Sequence, residues 1–212
     1  MSFLLDGVSP DGTTVLLAHG AGAPMDTAWM TALAGHLARG GLRVARFEFA
    51  YMAARRTGGP KRPPPDVDLL ADEYRAAIDA LPRTGPLVIG GKSMGGRVAS
   101  LVADEMFGSG RIAGLLCLGY PFHPKGRPDR LRTAHLGALA TPTLICQGTR
   151  DPFGTREEVA RYPLSDRIRV CWLEDGDHDL APRKRVTGAT RDDHLATAAG
   201  AAVAWARTLG TG

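Results

Sequence analysis

Cysteine is scarce in this sequence, and the motifs that use it for metal binding are absent. Only three cysteines occur among the 212 residues, and each lies inside an apolar, strand-like segment. An odd number without the spacing of metal ligands favours buried free thiols over a disulfide framework and suits a reducing cytoplasm. Neither H-E-x-x-H nor C-x-x-C occurs, and we therefore predict no metal and no cofactor.

Long apolar runs and a strong charge of one sign are also lacking. No apolar run approaches the ~20 residues of a membrane-spanning helix, and the stretch from Met1 to Gly12 does not resemble a signal peptide. The net charge of +4 and the pI near 9.2 are too mild to imply nucleic acid by themselves. We expect a cytoplasmic protein that binds neither membrane nor nucleic acid, and the sequence leaves monomer and homodimer both open.

What the sequence does contain is an alternation of strand-like and helix-like segments. The strand-like segments are Thr14–Ala18, Arg43–Phe49, Pro86–Gly90, Ile112–Gly119, Thr141–Gln147 and Ile168–Leu173. The helix-like segments are Asp26–Arg39, Asp66–Leu81, Met94–Phe107, Thr155–Arg161 and Arg191–Leu209. The alternation predicts one α/β domain over residues 1–212, with a mostly parallel sheet, helices on both faces and no large cap domain.

The pentapeptide Gly91-Lys92-Ser93-Met94-Gly95 lies between a predicted strand and a predicted helix. A G-x-S-x-G sequence in this position is typical of a nucleophile elbow, a tight turn that lifts a serine hydroxyl above the sheet. The glycines are needed because strand and helix pass too close for side chains. The pattern predicts Ser93 as a covalent nucleophile.

Two further residues complete a candidate catalytic triad. Asp151 follows one late strand after a short turn, and His178 follows the last strand, in the chain order serine, acid, histidine. In this hypothesis His178 takes the Ser93 proton, and Asp151 orients the imidazole. Asp129, which follows the preceding strand, is an alternative acid because some hydrolases place the acid there.

A small-residue turn, His19-Gly20-Ala21-Gly22, follows the first clear strand. This turn is similar to the H-G-G oxyanion motif, which exposes a backbone N–H. We predict that the amides of Ala21 and Met94 form an oxyanion hole. For His19 itself we favour an orienting role within the turn.

The chain resembles a family of small bacterial α/β-hydrolases related to testis-expressed protein 30 and to subunit 3 of the human non-specific-lethal acetyltransferase complex. More distantly it is similar to dienelactone hydrolases. The resemblance rests on the segments His19–Asp26, Phe47–Arg56, Gly91–Arg97, Gly119–Leu136, Gln147–Gly154 and Asp175–Leu180. It implies an α/β-hydrolase fold with Ser93, Asp151 and His178 as the triad. The nucleophile is serine where dienelactone hydrolases have cysteine, so their substrate is not carried over.

The sequence thus predicts a serine hydrolase that cleaves an ester, a thioester or a similar acyl bond of a small molecule. The alternative is a hydrolase-fold scaffold or ligand-binding module that turns nothing over, as in the branch that serves in a chromatin complex. Two basic loops at the carboxyl edge of the sheet point to an anionic substrate, although solvated surface charges would look the same. The first loop carries Arg55, Arg56, Lys61 and Arg62, and the second carries Lys125, Arg127, Arg130 and Arg132. The residues considered for substrate binding are Arg55, Arg56, His123 and Arg132.

Overall fold

The computed structural model describes residues 1–8 and 12–209 of the chain. The strands are β1 (Phe3–Asp6), β2 (Thr14–Ala18), β3 (Arg43–Phe47), β4 (Leu87–Lys92), β5 (Gly114–Leu118), β6 (Thr143–Gly148) and β7 (Ile168–Leu173). Within these ranges the strands form one sheet in the order β1-β3-β2-β4-β5-β6-β7. Strand β1 pairs antiparallel with β3, and the other neighbouring strands are parallel.

Helices cover both faces of this sheet. They are α1 (Ala28–Arg39), α2 (Ala50–Ala53), α3 (Val67–Ala80), α4 (Met94–Gly108), α5 (Arg156–Val159), α6 (Lys184–Thr187) and α7 (Arg191–Ala206). The buried side chains of α3 and α4 belong to the core on one face, and those of α1 and α7 belong to the core on the other. The predicted α/β architecture with a mostly parallel sheet is therefore confirmed.

The central strands are apolar because both of their faces are covered. Every residue of β2, β5 and β6 is buried, which accounts for continuous runs where a half-exposed strand would show alternation. Helix α3 begins after its N-cap Asp66, whose carboxylate accepts a hydrogen bond from the Asp68 amide. Helix α1 begins two residues later than predicted, because Thr27 and not Asp26 is its N-cap.

Strand β1 and the turn after β3 are elements that the sequence pattern did not predict. Strand β1 has only four residues, too few for a clear pattern, and its apolar residues Leu4 and Leu5 are exposed and do not belong to the core. It is held at the edge of the sheet by pairing with β3 and by an ion pair of 2.8 Å between Asp6 and Arg46. Strand β3 ends at Phe47, two residues before its predicted end at Phe49, and the short helix α2 and a 3₁₀ turn (Ala54–Thr57) follow.

The strand order changes direction between β2 and β4, because the chain first adds β3 on one side of β2 and then β4 on the other. In open α/β sheets a crevice forms at such a switch point, outside the carboxyl ends of the strands. The turn after β2 and the turn after β4 flank this crevice, and they carry Ala21 and Ser93. Among the described helices none is long and apolar enough to cross a membrane.

Candidate active site

Ser93 stands alone between strand β4 and helix α4. Its backbone has φ 51° and ψ −116°, a conformation that is unfavourable for a residue with a side chain. Its amide donates to the Leu118 carbonyl at 2.9 Å, which continues the pairing of β4 with β5 up to the turn itself. The fold therefore imposes the sharp turn that a nucleophile elbow requires.

The glycines of the pentapeptide allow β2 to pass close behind this turn. A Cβ at Gly95 would lie 2.6 Å from the carbonyl oxygens of both Ala18 and His19, and a Cβ at Gly91 would also collide with the Ala18 oxygen. The crowding predicted for these two positions is confirmed. The close contact is with the end of the neighbouring strand as well as between β4 and α4.

Three side chains from separate loops form a continuous hydrogen-bonded chain. The Ser93 Oγ lies 2.8 Å from His178 Nε2, and His178 Nδ1 lies 2.8 Å from Asp151 Oδ2. Asp151 is fully buried, whereas the His178 side chain is 20% exposed at the surface of the crevice. If Nδ1–H donates to the carboxylate, Nε2 is left to accept the hydroxyl proton of Ser93.

The carboxylate of Asp151 is held by groups other than the histidine. Gln147 Nε2 donates to Asp151 Oδ2 at 3.0 Å, and the Phe153 amide donates to Oδ1 at 2.9 Å. Gln147 lies near the end of β6 and also contacts the backbone of Tyr120, so the carboxylate is tied to the loop after β5. Gln147 was not predicted as a functional residue; the available signal was a polar amide at the end of an otherwise apolar strand-like run.

The alternative acid, Asp129, lies elsewhere. Its carboxylate is exposed and contacts Arg127 on the same loop at 3.3 Å. The structure thus brings Asp151, and not Asp129, into contact with His178.

The turn after β2 is fixed by His19. Its Nδ1 lies 2.7 Å from the Gly20 carbonyl, and its Nε2 accepts from the Phe49 amide at 3.2 Å. Burial lowers the pKa of His19 below the ordinary value of 6.5, which keeps the imidazole neutral and Nε2 free to accept. Neither of these two hydrogen bonds involves Ser93 or His178, which is consistent with an orienting role for His19.

The two residues whose amides are predicted to form an oxyanion hole, Ala21 and Met94, line a cavity together with Ser93. Met94 is the first residue of α4, and the first bond of that helix is donated by Arg97 to the Ser93 carbonyl, so the Met94 N–H precedes the intrahelical bonds. Ala21 lies in the turn after β2, where Tyr51 Oη donates to its carbonyl at 2.9 Å. Ala21 and Ser93 line the same cavities.

An ion pair joins the residue before the serine to the residue after the histidine. Lys92 Nζ lies 2.6 Å from Asp179 Oδ1 and 5.2 Å from the centre of the Trp29 ring. Trp29 Nε1 in turn donates to the Asp179 carbonyl at 2.8 Å. These contacts tie the turn after β4 to the loop after β7. Neither Lys92 nor Asp179 was predicted from the sequence as a residue of the site.

Within the described part of the chain, Ser93 lines two cavities. The first, here called the Trp29 cavity, has a volume of about 360 Å³ and is also lined by His178 and Lys92. The second, the Arg97 cavity, has a volume of about 450 Å³ and is lined by Met94, Arg97 and others. Ser93 therefore lies where two spaces meet, an arrangement suited to a substrate with groups on both sides of a reacting bond.

Of the four residues considered for substrate binding, the structure brings only Arg132 to a cavity that contains Ser93. Arg56 is bound at 2.7 Å by both carboxylate oxygens of Glu48. Arg55 lines neither of these cavities and donates to the Arg62 carbonyl at 2.6 Å, although its buried Nε has no partner among the described residues. His123 is buried, 3.4 Å from Glu158. Side chains that already have partners inside the protein are poor ligands for a substrate.

A second serine and histidine also meet, away from the elbow. Ser100 Oγ lies 2.8 Å from His135 Nε2, but it donates its own proton to the Arg97 carbonyl at 2.6 Å. Ser100 is buried on helix α4 and lines neither cavity that contains Ser93. We interpret this contact as structural, since it fastens the loop after β5 to α4.

Residues 1–8 and 12–209 contain no group of three or more histidine, cysteine, aspartate or glutamate side chains placed to hold a metal ion. The three cysteines are free; Cys117 and Cys146 are buried and Cys171 is half-buried.

Comparison with known proteins identifies the fold as that of the α/β-hydrolases. Residues 11–207 match the alpha/beta hydrolase domain family, and the chain belongs to this family. A lidless serine hydrolase from Xanthomonas campestris superposes with a TM-score of 0.66 at 19% identity, covering 97% of this chain and 88% of its own. Est1E from Butyrivibrio proteoclasticus gives a TM-score of 0.71 at 14% identity, covering 98% and 93%.

A dienelactone hydrolase from Anabaena variabilis is similar to the same extent, with a TM-score of 0.67 at 21% identity, covering 96% of this chain and 89% of its own. At these identities the likeness establishes the shared fold alone. The Xanthomonas hydrolase is described as having no lid, and the described residues of this chain likewise form no large cap domain over the sheet. The narrower resemblance to testis-expressed protein 30 and its relatives stays a prediction.

Proposed function

We propose that this protein is a serine hydrolase that cleaves an ester, a thioester or a related acyl bond of a small molecule. The observation that carries the proposal is the hydrogen-bonded chain from Ser93 through His178 to Asp151, with 2.8 Å at each link. The strained turn at Ser93 and the buried, multiply bonded Asp151 add to this support. Several neighbours of the fold carry the name esterase or serine hydrolase, which is consistent with the proposal.

In the proposed reaction the Ser93 hydroxyl attacks the acyl carbon while His178 Nε2 takes its proton. The imidazolium that forms is stabilised by Asp151, and it returns the proton to the leaving group as the tetrahedral intermediate collapses. Water then attacks the acyl-enzyme with His178 again as the base. This second step releases the acid and restores Ser93.

The oxyanion of each tetrahedral intermediate would be stabilised by the amides of Met94 and Ala21. Donors that are fixed before the reaction need no reorganisation, and removal of one such donor typically costs about 10²–10³ in kcat. His19 supports this arrangement because its bonds to Gly20 and Phe49 fix the turn that carries Ala21.

We further propose that the chain acts as a single domain in the cytoplasm. One sheet runs through the described residues, and the free cysteines suit a reducing compartment.

A fluorophosphonate probe tests the proposed function directly, because it phosphonylates only an activated serine. The wild-type protein should be labelled at Ser93, as located by peptide mass spectrometry, and Ser93→Ala should lose the label while its melting temperature stays within a few degrees. Ser100→Ala is the matched control and should still be labelled. A wild-type protein that is never labelled would favour the alternative of a non-catalytic binding module.

A further inference from the structure

The Arg97 cavity combines an apolar lining with two cations. Ser93 and Met94 lie at its edge, and Arg97 and Arg132 are its only charged lining residues within the described ranges. The remaining lining residues are Ala21, Pro64, Pro65, Val67, Leu70, Pro121 and Phe153. No carboxylate in this lining neutralises the two guanidinium groups.

Arg97 is placed by the geometry of helix α4. It follows Ser93 by four residues, so one helical turn carries its side chain toward the same end of the helix as the nucleophile. Its Nε is buried and has no hydrogen-bond partner, and no ion pair to Arg97 is present among the described residues. A buried donor without an acceptor destabilises a folded protein, and such a group calls for an explanation.

Arg132 is brought to the same cavity by a firmly held loop. The Arg132 amide donates to the Phe122 carbonyl at 2.7 Å, and Tyr120 Oη donates to the Arg132 carbonyl at 3.0 Å. The contact between Ser100 and His135 fastens the end of this loop to α4. Burial and the nearby charge of Arg97 lower the pKa of Arg132, so the fold holds two like charges together at a cost.

We propose that Arg97 and Arg132 bind a carboxylate group of the substrate while its acyl bond lies at Ser93. The inference rests on the proposed hydrolase function and deepens it by naming the substrate class. Guanidinium forks match the planar carboxylate, and the lining of this cavity holds two guanidinium groups with no carboxylate to neutralise them. The apolar residues that share this lining with Ser93 and the arginines suit a short hydrocarbon chain that joins the acyl bond to the anionic end.

The test compares anionic and neutral substrates of equal length. One arm uses aryl hemi-esters of linear dicarboxylic acids of four to six carbons, with the carboxylate on the acyl part. The other uses acetate esters of hydroxy-acids, with the carboxylate on the alcohol part. Each substrate is paired with the analogue whose free carboxylate is replaced by a methyl ester. The quantity measured is the ratio of kcat/KM for the anionic over the neutral member of each pair.

The wild-type ratio should exceed one in one arm and should fall with rising salt. Arg97→Met and Arg132→Gln should each lower that ratio by roughly tenfold or more, which corresponds to about 1.4 kcal/mol per factor of ten. Arg97→Lys keeps the charge but loses the forked guanidinium group, so its ratio should lie between those of the wild type and Arg97→Met. The control, Arg161→Gln, removes an exposed charge outside both cavities and should leave the ratio unchanged.

A second readout separates binding from a structural role. Because no ion pair to Arg97 is present within residues 1–8 and 12–209 and the side chain lies near Arg132, Arg97→Met should raise the melting temperature while it lowers the ratio. A variant that loses both stability and the ratio would show that Arg97 supports the fold. An unchanged ratio in folded Arg97→Met and Arg132→Gln proteins would overturn the proposal.

Failure of the hydrolase proposal is distinguishable from failure of this one. If neither the probe nor any ester reacts at Ser93, glutarate is titrated into the wild-type protein and Arg97→Met by calorimetry. Binding that requires Arg97 would support the carboxylate site in a non-catalytic protein. The absence of glutarate binding, together with the absence of turnover, would overturn both proposals.

Discussion

Lys92 and Asp179 form a 2.6 Å ion pair that links the neighbour of Ser93 to the neighbour of His178. The Lys92 side chain is largely buried, and the Asp179 side chain is 59% exposed. Exposed pairs contribute little to stability, typically about 0.2–1 kcal/mol. The position of this pair suggests that it aligns the serine with the histidine.

Breaking this pair should therefore affect catalysis more than stability. We expect Asp179→Asn and Lys92→Met to lower kcat on an aryl acetate roughly tenfold, since small displacements of reacting groups are costly, while KM changes little. The charge swap Lys92→Asp with Asp179→Lys should recover part of kcat. Arg75→Met breaks a pair of 2.8 Å with Glu105 and should not affect kcat. Equal losses for the single variants and the swap would contradict a positioning role.

Asp151→Asn should nearly abolish activity without unfolding the protein. The asparagine keeps the shape but cannot stabilise the imidazolium, and loss of a triad carboxylate costs on the order of 10⁴ in kcat. Asp129→Asn is the matched variant for the alternative acid, and its kcat should equal that of the wild type. The opposite result, with only Asp129→Asn inactive, would reject the assignment of Asp151.

Gly95→Ala should destabilise the fold. A methyl group at this position would lie 2.6 Å from two backbone oxygens, which rigid strands cannot relieve, so we expect a loss of about 2 kcal/mol or more in the free energy of unfolding. Gly108, the last residue of the same helix, has nothing within 4 Å of a Cβ, and Gly108→Ala should stabilise by about 0.5–1 kcal/mol. Urea denaturation of the two variants measures both effects. Similar stabilities would show that the elbow is less crowded than the structure indicates.

Acid should weaken the fold through two histidines, the buried His19 and the half-buried His135. Burial lowers the pKa of His19 and of His135 below 6.5, and for His135 the charge of Arg97 lowers it further while Asp104 opposes. As pH falls through 6.5 the unfolded chain takes up protons that the native protein does not, so stability decreases until the lowered native pKa values are reached.

Urea midpoints between pH 7.5 and 5 measure this loss. His135→Gln removes one of the two groups, and its stability should therefore fall less steeply over the same range. A slope as steep as that of the wild type would exclude a contribution from His135.

The apolar runs predicted all six parallel strands of the sheet and the four longest helices, because buried strands and amphipathic helices leave strong patterns. The ends of these elements were less predictable. Strand β3 ends at Phe47, since the next residues bond to loops outside the sheet: Glu48 binds Arg56, and the Phe49 amide donates to His19. Tertiary contacts of this kind have no periodicity in the sequence.

The residues proposed as the triad could be placed by chain order and motif, but their supporting residues could not. Gln147 bonds to Asp151 four residues further on, but the backbone of Tyr120, which fixes its amide, is 27 residues away. Lys92 pairs with a residue of the loop after β7, and only the folded sheet brings these groups together. In the basic loops, the sequence could not show which cations bond to other protein groups, as Arg56 does, and which line a cavity, as Arg132 does. The spacing of Arg97 four residues after Ser93 was a usable signal that the count of loop charges obscured.

The left-handed backbone conformation at Ser93 means that its strain is already present in the folded protein before a substrate binds. The unfavourable conformation is imposed by the neighbouring strands when the chain folds, before any ligand arrives. In the proposed hydrolase, a nucleophile held this way does not need to be reoriented in each turnover. The distortion therefore lowers the free energy of unfolding and does not add to the activation barrier of each turnover.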